Sequence, residues 1–567
     1  MTMQNTRQKR MIGFAQKDIW FIILFVLSYV LNIITTYHVT HTICDSDSAS
    51  TLVYAYHQSQ ETALISNDWF YSTELSFLDT HLVYAPLFMF FQDWQTVRFI
   101  GTLILQAFLL LSFCALCRTM AFNRRASLLG CSLLILPFST TYGRLVLYHT
   151  YYIPYLTISF LLISLVFRCN QDFRLHHSTS QKALHLAAIA LLAFACGISG
   201  IRQLGISLLP LIAALSIILY QANWTQPNEL KRLLVFVPSI GMLMLSTILG
   251  LICNGLLSSV YVFPNYGQSA TSMSVFSQLT KVSSAFAHHF GFRNHAQSYL
   301  PYQLMNVIGI LAGVWFTVLS FVTLIKRTHF PSLETETLQH LYPCGLLVAI
   351  LPFFFLSSIT NYVTYFLFYL IWLIPLVLLI LYTERPYSHL LNSMQRIAAI
   401  AIVAVMFTNS LINSVYFIAY EHMPFQQYEG LGDWDIQTAK NLKPICTQLL
   451  DEGYDLGYCT YWRSNIMTDI TDGKLKTITI EAANSQDGFV YCDWLTLKSN
   501  REPVPNKPFL AMDPNYRSVL EKSPLFTHCR LICETPQILI YALDDPSLMK
   551  KHLDSQGYTI RYDDVGT

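Results

Sequence analysis

Charge is what this chain lacks most. Asp, Glu, Lys and Arg supply 12% of its residues against 53% hydrophobic ones, and Ile19 to Cys44 runs without one charged side chain. An ordinary soluble domain carries about twice that share of charge, so the balance excludes one. No basic tract is present, so nucleic acid is not expected as a partner; the net charge of +1 hides a segregation of sign and says nothing on that point. Zinc-type Cys spacing, a Gly-rich nucleotide loop and internal repeats are missing too. The thirteen Cys are scattered and do not form a disulfide framework.

What is present is apolar length. A spanning helix needs about 20 apolar residues to cross a hydrocarbon core about 30 Å thick. The sequence offers eleven candidates: 19–37, 99–117, 126–142, 150–167, 183–200, 204–220, 233–254, 304–325, 341–358, 362–382 and 397–420. The third, fifth and sixth are short. The first follows a basic stretch (Arg7, Lys9, Arg10), as a signal peptide would. Its apolar run is too long, and no small-residue cleavage site follows, so it reads as an anchor. The expected fold class is a polytopic α-helical membrane protein with about eleven spans and a C-terminal α/β domain.

Basic residues orient the chain. Arg7, Lys9, Arg10, Lys17, Arg118, Arg124, Arg125, Arg168, Arg174, Lys182, Lys231, Arg232, Lys326, Arg327, Arg385 and Arg396 fall on one side. Arg98, Arg144, Arg202, Lys281 and Arg293 fall on the other, ahead of the tail. The positive-inside rule makes the N-terminus cytoplasmic, and eleven crossings put the tail outside. Residues 1–420 then form the membrane domain and 421–567 an extracytoplasmic one.

The two large outer loops have opposite signs. Loop 38–97 holds Asp45, Asp47, Glu61, Asp68, Glu74, Asp79 and Asp93 with no Lys or Arg, and its "YAPLFMFF" is apolar enough to lie on the membrane. Loop 255–303 holds Lys281, Arg293, His288, His289 and His295 with no acid. Its Val275, Leu279, Val282 and Phe286 make a helical stripe. In the tail, "IQTAKNLKPICTQLLDEG", "SVLEK" and "DPSLMKKHLDSQG" read as helices, and "DLGYCTYW", "KLKTITIEA" and "QILIYALD" as strands of a partly parallel sheet. Cys446, Cys459, Cys492, Cys529 and Cys533 lie there, where disulfides are permitted.

Paired acids directly after the first apolar run, in "CDSDSAS", need explaining. One of Asp45, Ser46 or Asp47 can cap a helix beginning near Ser48. That accounts for one acid. A carboxylate beside low-dielectric walls also makes a base. An i,i+2 pair in extended chain can share a divalent cation, Mg or Mn. Arg144, in "TTYGRLVLYH", and Arg202, in "GISGIRQLG", sit in short outer turns, where a guanidinium suits phosphate oxygens or lipid headgroups. Gly197, Gly200 and Gly205 permit close backbone approach beside Arg202.

The first helix emptying into "CDSDSAS", the loop holding "STELSFLDTHLVYAPLF", the outward Arg residues and the tail's "GYCTYWRSNIMTDITDGKLKT" resemble the GT-C superfamily of bacterial polytopic glycosyltransferases. The resemblance implies a multi-pass protein of the plasma or inner membrane. Such a protein takes a sugar from a polyprenyl-phosphate donor and moves it to a glycan, lipid or protein acceptor on the extracytoplasmic face. The acid after the first helix, general base or acceptor-positioning group in the family, maps onto Asp45 or Asp47. Many relatives carry another acid between their third and fourth helices. Arg144 stands there instead, so Glu74 is the candidate second carboxylate, with Asp68 and Asp79 behind it. Arg202, Arg144, Lys281 and Arg293 would hold the donor phosphate.

Two rivals remain open at this stage. A transporter or lipid flippase needs ionisable residues at mid-depth, and apart from His185 the candidate spans have none. A non-catalytic envelope-glycan-binding protein would need far fewer spans than eleven.

Overall fold

The computed structural model describes residues 2–61, 63–72, 75, 77–222, 231, 233–261, 275–290, 300–325, 332–355, 362–383, 389–419, 433–482, 488–557 and 559–560. The chain is a multi-pass α-helical membrane protein. Among the described residues, eight helices are long and apolar enough to cross a bilayer: Asp18–Thr42, Trp94–Thr119, Ile153–Arg174, Thr179–Ser199, Leu204–Gln221, Val237–Leu257, Gln303–Ile325 and Leu391–Ala419. They cover eight of the eleven expected spans, including the short fifth and sixth.

The third candidate is not one continuous helix. Helix Arg124–Leu134 stops after 11 residues, which is about 16 Å and half the hydrocarbon thickness. Residues 135–139 break the chain around Pro137 before a helical turn at Thr140–Tyr142. Backbone exposed by such a break needs donors from its neighbours, and Asn413 Nδ2 reaches the Pro137 carbonyl at 2.8 Å. One turn earlier on the same helix, Asn409 Nδ2 meets the Phe290 carbonyl at 2.9 Å. The candidates 341–358 and 362–382 fall on helices Leu333–Phe355 and Tyr362–Tyr382, but part of each lies outside the described residues. Residues 371–380 of the latter are buried on every side, so the apolar run there makes a helix interior to the bundle.

The structure divides into two compact units. The first comprises residues 1–36, 105–253 and 270–430; the second comprises 37–104, 254–269 and 431–567. In the first, Gly197 and Gly250 bring helices Thr179–Ser199 and Val237–Leu257 into backbone contact: a Cβ on Gly197 would lie 2.4 Å from the Thr247 carbonyl oxygen. The closeness expected at Gly197 therefore serves helix packing. Gly205 has nothing within 4 Å of such a Cβ.

The second unit joins the loop after the first span to the tail. Its seven-stranded sheet has the order β7-β8-β6-β2-β3-β4-β9, with β2 Leu456–Thr460, β3 Lys476–Ala482, β4 Phe489–Cys492, β6 Phe509–Met512, β7 Cys529–Glu534, β8 Leu539–Leu543 and β9 Thr559–Ile560. Strand β2 runs parallel to both neighbours, β3 and β6. A two-stranded antiparallel ribbon pairs β1, Trp69–Phe70 of the loop, with β5, Thr496–Leu497 of the tail. Cys44 and Ala49 of the loop are buried in one core with Cys446, Leu449, Met467 and Ile470 of the tail. The thirteen cysteines are all free thiols.

Candidate functional site

The first helix, Thr2–Thr42, ends three residues before the next begins at Ser46. Asp45 makes the junction. Its Oδ1 accepts the Ser48 backbone N–H at 2.7 Å, and its own N–H donates back to Ser48 Oγ at 3.3 Å. That reciprocal pair is an N-terminal cap with Ser in the usual Glu position. Asp45 is 2% exposed. Capping thus claims Asp45, the first of the two acids.

Asp47 is the second residue of helix Ser46–Glu61 and is half-buried. Its Oδ1 accepts the phenol hydrogen of Tyr461, and Ser46 Oγ donates to the Tyr461 carbonyl at 2.6 Å. Asp45 caps the helix and Asp47 lies inside it, so the two are not in the extended chain that turns alternate side chains to one face. A shared cation on Asp45 and Asp47, which required extended chain, does not fit this geometry. Among the described residues, the group able to hold a metal is His57, Glu61 and Asp68. His57 Nε2 stands 2.9 Å from Glu61 Oε1 and 3.4 Å from Asp68 Oδ2. Asp68 is also engaged by the tail: Ser499 donates to it through its N–H, at 2.7 Å, and through its hydroxyl.

The tail supplies the cations that loop 38–97 lacks. Lys498 Nζ donates to the Asn67 carbonyl at 2.6 Å and faces the Phe70 ring. Arg501 stacks on Phe70 with its guanidinium 4.5 Å from the ring centre. Arg98, a cation without a role assigned from sequence, forms a buried ion pair with Asp469, whose Oδ2 also accepts the Cys44 thiol at 2.9 Å. Asp472 accepts the Trp94 N–H at 3.0 Å, and Gly473, at φ +74°, lies against the Trp94 ring.

Helix Tyr461–Asp469 is central to these contacts. It leaves the carboxyl end of β2, where open α/β sheets place their functional groups. Tyr461 donates its N–H to Glu481 Oε1 of β3 at 3.1 Å. Asp513, just past β6, accepts Arg463 Nε at 2.9 Å and Thr460 Oγ1 at 3.3 Å. Burial raises the Glu481 carboxyl above its usual range. Burial, and then the adjacent Asp47 charge, raises the Tyr461 phenol well above its own.

Other expected site residues fall elsewhere. Asp79, half-buried, bonds the neighbouring Thr80 N–H at 2.6 Å ahead of helix His81–Leu87. Arg144 and Arg202 belong to the helical unit. Arg144 lies in a π-helical turn, Gly143–Tyr148, and Arg202 stands two residues ahead of another, Leu204–Leu208. The first turn is held by Gln106 Nε2 on the Leu147 carbonyl, 2.9 Å, and the second by Gln203 Nε2 on Ser159 and Ser207, 2.8 and 2.7 Å. Such turns concentrate at functional sites. Arg202 packs over the Tyr152 ring at 5.9 Å. Lys281 lies on helix Val275–His289, its side chain outside the described residues. Glu74, Arg293 and His295 also lie outside the described residues.

Fold and site together define a multi-pass membrane protein whose first loop packs into its C-terminal α/β domain, with Asp47 and Asp68 bonded to it. No protein-family model matches the chain, and no curated protein does. Among solved structures it is similar to that of ArnT from Cupriavidus metallidurans bound to undecaprenyl phosphate. That similarity spans 93% of this chain and 98% of the other, with 12% identity and a TM-score of 0.46.

Proposed function

We propose that the protein is a GT-C-type glycosyltransferase that moves a sugar from a polyprenyl-phosphate donor to an acceptor hydroxyl on the extracytoplasmic face of the plasma or inner membrane. The observation that carries this reading is the acid pair at the end of the first span, where Asp45 caps a helix and Asp47 is left half-exposed and oriented by a phenol. Asp47 is the base. As the acceptor oxygen attacks the anomeric carbon, its proton passes to the Asp47 carboxylate. The bond from that carbon to the donor phosphate breaks, and the phosphate leaves with the electron pair.

Negative charge grows on that phosphate, and preorganised cations there stabilise the transition state. Arg144, in its π-helical turn, and Arg202 take that role, with Lys281 and Arg293 as further cations for the donor phosphate. Asp45, through its cap, holds the Asp47 helix in place. Glu74, Asp68 and Asp79 are the further acids of the acceptor side. The charge bias of the loops supports a cytoplasmic N-terminus and an extracytoplasmic tail.

Transfer of radiolabelled sugar from a panel of polyprenyl-phosphate donors, in membranes holding the protein, tests the reading. Asp47→Asn should lower transfer by about 100-fold or more, with the protein still inserted and folded. Transfer at the wild-type rate would remove Asp47 as the base. Absence of transfer by the wild-type chain from every donor would turn the question to transport or glycan binding.

A further inference from the structure

We propose that Tyr461, in the C-terminal domain, is the positioning residue for Asp47, so that the tail completes the transferase site. This rests on the function proposed above and adds to it a residue 414 positions away in sequence.

Three parts of Tyr461 are fixed at once. Its N–H is held by Glu481 of β3, its carbonyl by Ser46 of the first loop, and its phenol by Asp47. The side chain is 1% exposed and lies in a small core with Cys492 and Trp494. Trp462 packs edge-on against it, ring centres 5.3 Å apart. A hydroxyl buried this deeply is costly without a partner, and here that partner is a carboxylate on the next segment. Phe would fill the same core, so the oxygen has a use beyond packing.

That use is orientation. A carboxylate has about four lone-pair sites, so one phenol bond fixes its rotamer without exhausting its capacity to take a proton. The other end of the same helix is anchored equally firmly. Asp469 accepts the Cys44 thiol and pairs with Arg98. Helix Tyr461–Asp469 therefore holds both sides of "CDSD", Cys44 at one end and Ser46 with Asp47 at the other. A site whose base lies on a helix start gains the precision that productive geometry demands.

The test compares full-length wild type, Tyr461→Phe, Asp47→Asn and the double variant, using the polyprenyl-phosphate sugar that the wild type accepts. Tyr461→Phe should lower kcat about 10- to 100-fold while KM for the donor moves less than about 2-fold and thermal stability is kept. In the Asp47→Asn background the same change should cost less than about 2-fold, since the effect proposed for the phenol runs through that carboxylate. An unchanged kcat, or the same loss in both backgrounds, would overturn the proposal. Where Phe leaves the protein unfolded, 4-aminophenylalanine and 4-fluorophenylalanine at position 461 carry the comparison. The first keeps a donor and should stay within about 3-fold of wild type; the second keeps volume without a donor and should match the Phe loss. Equal rates for the two would overturn it as well. A fully active Asp47→Asn sinks the base assignment and this proposal with it. An inactive Asp47→Asn beside an unimpaired Tyr461→Phe sinks only this one.

Discussion

Asp45 and Asp47 stand two residues apart and are used differently. Asp45 is spent on the backbone of its own helix, so its removal should be read in stability. Asp45→Ala should cost about 1 kcal/mol, the usual worth of an N-cap, whereas Asn caps nearly as well and should keep the wild-type melting temperature. Thermal unfolding in detergent separates the two, and equal destabilisation by both would show that charge, not capping, is what the site requires. His81 offers a second reading at this scale. Burial holds its imidazole down at about 3, whereas the unfolded chain titrates near 6.5. The unfolded state binds the extra proton throughout that window, so stability falls as pH drops through it. From pH 7 to pH 5 the loss is about 2 kcal/mol. His81→Leu should remove that slope, measured as the difference between melting temperatures at the two pH values.

Among elements, sequence legibility followed burial pattern. The eight apolar helices were plain because each carries nearly 20 uncharged residues. The break at 135–139 was hidden, because the residues around Pro137 are as apolar as a span and the donor that satisfies the break, Asn413, lies 276 positions away. Helix Tyr461–Asp469 was hidden for the opposite reason. Eight of its nine residues are buried, Arg463, Ser464 and Asn465 among them, so no polar face alternates with an apolar one and periodicity gives no signal. The acid pair itself was legible, but which acid caps was not, since that depends on which carboxylate meets the Ser48 N–H. The glycines beside Arg202 misled in the same way, their neighbours being set by tertiary packing. Gly197→Leu should destabilise the protein by about 1–3 kcal/mol through overpacking, because the Thr247 carbonyl cannot withdraw from its helix. Gly205→Ala, with open space around it, should melt like the wild type; a large drop there would reverse the assignment of the two glycines.

At the scale of the molecule, the question is why a membrane protein with so little charge buries an ion pair. Arg98 and Asp469 are 8% and 1% exposed and come from the first-loop segment and the tail. Removing one partner of such a pair leaves an uncompensated charge and costs about 3–5 kcal/mol, while replacing both with apolar residues of similar size is often neutral. Asp469→Asn should therefore loosen the union of loop and tail, and Arg98→Met with Asp469→Leu should restore it. Limited proteolysis in membranes reads this directly, as new cleavage within residues 38–97. A chain ended after Ala419 goes further, since it strips Cys44 and Ala49 of their core and Asp47 of its phenol. It should show the same cleavage and no sugar transfer, even where its spans insert normally. If the shortened chain kept both a protected loop and full transfer, the tail would be a separate domain and the acids of the first loop would organise themselves without it.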